Sequence, residues 1–370
     1  MKFQVPFLIA LLTVAAAATP IEKRTPKYIA HQVEPYDLPV YDKREESLDF
    51  ADTGTRYTVD LKIGSSKEKV KVIIDSASWR LNIPGSGGKC INTHTCPVDG
   101  IFHPEESNTF HNLSIFTKSY YGRGQTIVSA FKVTDDFFFD NGDKIPQFQF
   151  DLANATTFER GFFGIRRYSD QNASYVYAAK NAGLVDHAGF SLYLGNQQDK
   201  SGKLLVGAID TAKYEGELAL FNKTDYTIQP KSITTGDGEV IQFTRPVNLD
   251  SGNPRLSLDR HIVDAIYKEV GANEQGVAPC DNVLNGNKSL KFDLGEITVN
   301  VPYSRLYSRQ LNNPNCCTGV IVDTYSTGSE QNLGIQFIEQ IYLASSFESD
   351  TFGIAPVKHT DESNIVDFWF

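Results

Sequence analysis

Two short segments dominate what this chain can fold into. Val72-Ile73-Ile74-Asp75-Ser76-Ala77 and Val247-Asn248-Leu249-Asp250-Ser251-Gly252 are each an apolar run ending in an aspartate, a serine and a small residue, and their acids lie 175 residues apart. The chain around them repeats as well. Ahead of Asp75, residues 57–63 alternate with period two, Gly64-Ser65-Ser66 turns and residues 70–74 return, which predicts a β-hairpin. Ahead of Asp250 the same layout reads Tyr226-Thr227-Ile228, then Ile233, the turn Gly236-Asp237-Gly238, and a return through residues 240–243 towards 247–249. Downstream, Phe162-Phe163-Gly164 places its glycine 89 residues after Asp75, and Asn332-Leu333-Gly334 places its glycine 84 residues after Asp250. The same order at nearly the same spacing predicts a duplicated, strand-rich lobe with a pseudo-twofold axis, the two acids facing one another across it. Helical periodicity is sparse. Its clearest run is residues 259–270, where Ile262, Ala265, Ile266 and Val270 recur at helical steps behind Asp259 as a candidate cap.

A single Asp-Ser-Gly is an ordinary turn sequence, so the equivalent placement of the two acids carries the chemical reading. Two carboxylates held together in a partly desolvated cleft cannot both ionise cheaply; they share a proton and titrate as a pair. One then acts as base and the other as acid, the equipment for activating water against an amide and protonating its leaving nitrogen without a covalent intermediate. The chain contains no G-x-S-x-G, no H-E-x-x-H and no C-x-x-C, which argues against serine-hydrolase and zinc chemistry. No metal and no cofactor are expected.

Several features point to export. Lys2, an apolar run over residues 7–14 and the small residues Ala15 to Ala18 have the layout of a signal peptide, residues 1–18. That run is short for a membrane span, and neither a later span nor a lipid-anchor tail is seen, so a secreted, extracellular protein without a membrane anchor is expected. Of two dibasic pairs, Lys23-Arg24 and Lys43-Arg44, the second reads as a processing site that leaves Glu45 at the mature N-terminus. Residues 19–44 are then a propeptide, with Lys27 a candidate for occupying the cleft, followed by an N-terminal lobe over 45–197 and a C-terminal lobe over 198–370. A chain of 370 residues suits two such units. Cys90 and Cys96 are spaced for a small disulfide loop, and Cys280 can pair with Cys316 or Cys317, leaving one thiol over. Sequons at Asn112, Asn154, Asn172, Asn222 and Asn287 are candidate glycan acceptors. A net charge of −10 disfavours nucleic acid, and a monomer acting on a protein or peptide substrate is expected.

On its motifs the chain resembles the secreted pepsin-family aspartic peptidases of fungi, among them the candidapepsins of yeasts. Residues 72–78 and 248–252 resemble the two active-site motifs, Tyr121-Gly122-Arg123-Gly124 the flap tip, Phe190-Ser191-Leu192-Tyr193-Leu194 the strand near the lobe junction, and Phe352-Gly353-Ile354-Ala355-Pro356 the closing strand. Gly207-Ala208-Ile209-Asp210 with Ala212-Lys213-Tyr214 and Gly216 is similar to a stretch of the fungal branch. The resemblance implies an all-β, bilobal, pepsin-like pair of β-barrels with few short helices and a cleft between the lobes. It implies that Asp75 and Asp250 hold the nucleophilic water, that Ser76 and Ser251 bond across the lobes, that Ser78 bonds Asp75, and that Tyr121 closes over the substrate while flap backbone groups bind its carbonyls. Ala77, Gly252 and Asn253 complete the two loops. Five places depart from the family pattern. Ala77 stands for the usual Gly, and Asn253-Pro254 for a Thr, with the Asn able to offer Asp250 a hydrogen bond. Asn82 stands for the Trp that supports the flap tyrosine, with Trp79 earlier instead; Arg123 brings a cation to the flap tip, and Ile335 replaces an acid. A second reading keeps the cleft as a peptide- or protein-binding module that hydrolyses poorly or not at all.

Overall fold

The structure is a computed structural model and describes residues 26–37, 55–91, 100–121, 126–195, 202–324 and 330–370. The expected signal peptide, both dibasic pairs, Cys96, and Gly122, Arg123 and Gly124 of the flap tip lie outside these residues. Strands dominate, as the period-two pattern requires. Among the described residues only two helices reach seven residues, α1 (Tyr175–Asn181) and α2 (Arg260–Val270). The fold class is the all-β, bilobal, pepsin-like one that the family resemblance implies.

The first half is built from β1 (Ile29–Asp37), β2 (Thr55–Ile63), β3 (Glu68–Asp75), β4 (Leu81–Cys90), β5 (His111–Tyr121), β6 (Thr126–Phe138), β7 (Lys144–Thr156) and β8 (Gly161–Gly164). Strands β2 and β3 form the expected hairpin, from Thr58 opposite Ile73 to Ile63 opposite Glu68. Gly64 turns it at φ 76°, and a Cβ there would meet the Ser107 hydroxyl at 2.8 Å, so both backbone angle and space call for glycine. Val70, Val72, Ile73 and Ile74 are all fully buried, because β3 is covered on both sides.

Asp75 ends this strand beside Gly164, with β8 parallel to β3 and antiparallel to β4. The second half repeats the arrangement. Strand Val247–Leu249 runs parallel to Asn332–Leu333, which is antiparallel to Leu256–Leu258. The hairpin ahead of it is also present, Ser232–Thr234 against Val240–Gln242, although its strands are only three residues long. The lobes are joined by a thirteen-stranded sheet in which β9 (Gly189–Tyr193) and β10 (Gly202–Val206) connect the first-half strands to Ile341–Ser346 and Thr351–Pro356.

Strand β1 lies within the segment expected as propeptide, yet it is an interior strand. Its first half pairs with β10, Ile29 opposite Val206, and its second half with β2, Asp37 opposite Thr55. Ile29 and Val33 are core residues. Lys27, a candidate for occupying the cleft, is exposed, and its ammonium bonds the Gly183 carbonyl at 3.4 Å rather than either acid. The backbone pairing of the next residues holds it there.

Helix α2 forms where its apolar period predicts and stops at Gly271 in the left-handed region. Asp259 precedes it but does not cap it with its side chain; the carboxylate is drawn off by Arg245, Thr244 and Thr324. Cys280 pairs with Cys317, and Cys316 is a free thiol. Cys90 is disulfide-bonded. All five sequon asparagines are exposed. No helix among the described residues is long and apolar enough to cross a membrane.

Candidate active site

The two acid-bearing loops are tied together by their serines. Ser76 Oγ donates to the Leu249 carbonyl at 3.1 Å and accepts from the Ser251 N–H at 2.9 Å. Ser251 Oγ does the reverse, donating to the Ile74 carbonyl at 3.0 Å and accepting from the Ser76 N–H at 2.9 Å. Both serines are fully buried, so removing either hydroxyl would orphan a buried carbonyl and a buried N–H together. This four-bond square holds the loops to one another across the pseudo-twofold axis.

Asp75 accepts three hydrogen bonds: on Oδ1 from the Ala77 N–H (2.9 Å) and Ser78 N–H (3.1 Å), on Oδ2 from the Ser78 hydroxyl (2.5 Å). Asp250 accepts from the Gly252 N–H on Oδ1 (2.9 Å) and from Asn332 Nδ2 on Oδ2 (2.8 Å). The second loop touches the first carboxylate, since a Cβ at Gly252 would lie 2.7 Å from Asp75 Cγ and 2.9 and 3.0 Å from its oxygens. Ala77, at the equivalent place in the first loop, keeps its N–H on Asp75, and its backbone lies outside the left-handed region. The extra methyl therefore brings no torsional strain.

Burial pushes both acids up. For Asp75 the rise is opposed by the Ser78 hydroxyl, by the two backbone N–H groups and by the charge of Arg56. Asp250 is driven to about 7 by burial and then by the Asp75 charge, against the donors Asn332 and Gly252 and against Arg56. With three donors to two, Asp75 is the member that ionises first, and Asp250 keeps the proton. Arg56, which the sequence reading passed over, is buried on β2 with its guanidinium 3.8 Å from the Glu159 carboxylate and 6.0 Å from the Phe162 ring centre. Its only sequence signal is a charge at the head of an otherwise core-facing strand.

Tyr121 ends β5 within the field of Asp75; burial and then the Asp75 charge raise its hydroxyl pKa. Its OH accepts from Asn82 Nδ2 at 2.9 Å, while its ring stacks on Phe162 at 5.2 Å and meets Phe158 edge-on at 5.1 Å. Asn82 thus supplies the support that the missing Trp would give. Trp79 does not; it is exposed, stacked on Tyr168 at 6.2 Å.

Asn253, expected to bond Asp250, does not reach it. Its Oδ1 accepts from the Arg255 N–H at 3.0 Å, the side chain closing a turn around Pro254, whose missing N–H leaves Arg255 as the nearest donor. Asn332 takes the place at Asp250 instead. A polar residue where the first half has Phe162 was the signal available in the sequence. Gly164 and Gly334 are scaffold: a Cβ would fall 2.6 Å from Arg80 backbone atoms at the first and 2.2 Å from the Arg255 carbonyl oxygen at the second. Ile335, where an acid is usual, is a core residue. Among the described residues no cluster of His, Cys, Asp and Glu is arranged to hold a metal.

The model of the eukaryotic aspartyl protease family matches residues 56–357, a span that takes in both acids, both cross-lobe serines and both glycine-bearing strands. The chain belongs to this family. It is an aspartic-type endopeptidase. Among its relatives, secreted aspartic protease 8 of Candida albicans is 28% identical over 330 residues, covering 84% of this chain and 78% of the relative. Candidapepsin of Candida tropicalis is 26% identical over 374 residues, covering 93% and 92%. Secreted aspartic protease 5 of Candida albicans is 28% identical over 339 residues, covering 84% and 78%.

Proposed function

We propose that this protein is a secreted endopeptidase that hydrolyses internal peptide bonds of proteins at acidic pH, with Asp75 and Asp250 as its catalytic pair. The observation that carries the reading is the unequal hydrogen bonding of two carboxylates held by one frame, three donors on Asp75 and two on Asp250, with burial and then the Asp75 charge raising the pKa of the latter to about 7. In the one-proton state Asp75 takes a proton from water as the water oxygen attacks the scissile carbonyl carbon, and Asp250 gives its proton to the carbonyl oxygen. The resulting diol returns one hydroxyl proton to Asp250, the proton on Asp75 passes to the nitrogen, and the C–N bond breaks. The dyad ends as it began.

Three of the five departures from the family pattern favour activity over a merely binding cleft, because each of the three has a local substitute. The Ala77 N–H still donates to Asp75, Asn82 holds the Tyr121 hydroxyl, and Asn332 bonds Asp250. The aromatic cluster of Tyr121, Phe158 and Phe162 beside the acids supports a preference for apolar or aromatic side chains next to the scissile bond. Secretion is supported by the leader-like residues 1–18 and by the names of the relatives.

The test is cleavage of casein and of a quenched fluorescent peptide library between pH 3 and 8, with Asp75→Asn and Asp250→Asn as controls. Turnover is expected at acidic pH, with a basic limb falling as pH rises through about 7, where the pair loses its last proton. Absence of turnover across the range, or turnover surviving both substitutions, would refute the assignment.

A further inference from the structure

The two halves solve one problem differently. In the first half the outer oxygen of Asp75 is bonded by Ser78, three residues further along the same loop. In the second half the residue three after the acid is Asn253, which is committed to its own turn. The bond to Asp250 comes instead from a neighbouring strand. By register Asn332 is the counterpart of Phe162: Phe162 lies parallel to Ile73 and opposite Asn82, and Asn332 lies parallel to Asn248 and opposite Ser257. An apolar place in one half has become an amide in the other, and that amide reaches Asp250 Oδ2 at 2.8 Å.

The substitution changes the chemistry of the bond. A hydroxyl such as that of Ser78 can donate to a carboxylate or accept from a carboxylic acid, whereas an amide –NH2 only donates. Turning the amide over would set a carbonyl against the carboxylate. As it stands, Asn332 Oδ1 is buried without a partner, as is Oδ1 of Asn248 beside it, an arrangement that costs stability and that an apolar pair would avoid.

We propose that Asn332 is the positioning residue of Asp250, its amide bond to Oδ2 fixing the orientation of the carboxyl group and favouring its ionised form. The other oxygen, Oδ1, accepts from Gly252, the residue whose backbone lies against the Asp75 carboxylate, so the group is held at both ends. The other charged groups acting on Asp250 are Asp75 from the end of β3 and Arg56 from β2, and neither supplies a donor to Oδ2. Each oxygen of Asp250 thus accepts one N–H bond, and Asn332 supplies the one that comes from a side chain. The inference rests on the peptidase reading above.

The experiment is the pH–rate profile of Asn332→Leu on a fluorescent peptide, with Asn332→Ala as a second variant should the larger side chain prevent folding. Loss of the donor removes a bond to the ionised form, so the basic limb is expected to move up by about one pH unit. At the optimum, kcat is expected to fall about tenfold with KM nearly unchanged, since only the dyad is disturbed. Adding Asn253→Thr to Asn332→Leu puts a hydroxyl where Ser78 stands in the first half and is expected to bring the limb back. A folded variant whose limb does not move, whatever its rate, would overturn the proposal. Should the unsubstituted protein cleave nothing, the peptidase reading falls; carboxyl 13C titration of Asp250 with and without Asn332→Leu then decides the positioning role by itself, an unmoved pKa refuting it.

Discussion

His31, on β1, makes the stability of this protein depend on pH. It sits on β1 opposite Leu204, with Nε2 3.0 Å from the Tyr175 hydroxyl and with Phe139, Phe163 and Tyr175 around the ring. A cavity of about 280 Å³ adjoins it, lined also by Lys62, Asp60, Asp140 and Asp143. Desolvation lowers its pKa from 6.5 to about 4. Because the folded value is the lower one, the unfolded chain takes up the proton first; full stability holds above pH 6.5 and is lost as pH falls towards 4. At about 1.36 kcal/mol per pH unit of difference, the loss is about 2 kcal/mol at pH 5 and about 3 kcal/mol at pH 4. The assay is urea unfolding of the wild type and His31→Gln at pH 7, 5 and 4, followed by tyrosine and tryptophan fluorescence. Other groups titrate equally in both proteins, so the difference between the two isolates this ring. The wild type should fall behind the variant by these amounts as the solution is acidified. Parallel losses would show that the imidazole is not held neutral by its surroundings, and the reasoning would fail.

Gly252→Ala should lower kcat by at least about 100-fold without unfolding the protein, because its Cβ would lie 2.7 Å from Asp75 Cγ and must displace the carboxylate; the peptide assay with circular dichroism checks it. Ala77→Gly should change kcat by less than about threefold, since the backbone there needs no glycine; a large gain would show that the methyl obstructs the site. A chain starting at Glu45 lacks β1 and with it the buried Ile29 and Val33, worth about 1.5–3 kcal/mol each. It should melt well below a chain starting at Thr25, and equal melting temperatures would show that β1 is dispensable to the fold.

Much of this architecture is legible along the chain. Each lobe closes on the same local elements: an apolar strand, an acid with two small residues, and a glycine 89 residues on in the first half and 84 in the second. Those elements need only period-two burial and turn chemistry, which residue identity carries. The cross-lobe serines follow from the same repeat. The supporting side chains were not legible in that way. Asn82 reads along the chain only as a missing Trp, and Asn332 as an ordinary asparagine, until the fold brings one to Tyr121 and the other to Asp250, and Arg56 is a surface-looking cation until β2 buries it beside Glu159.

What the amino-acid order determined by itself was therefore the duplication, the strand-rich lobes and the identity of the two acids, all of which depend on neighbours in sequence. What only the tertiary structure decided was which donors reach each carboxylate, that Asn332 rather than Asn253 serves Asp250, and that β1 is an interior strand. The physical reason is range. A hydrogen bond is made or lost within an ångström, and residues 82 positions apart come to that distance only when strand register has set them side by side.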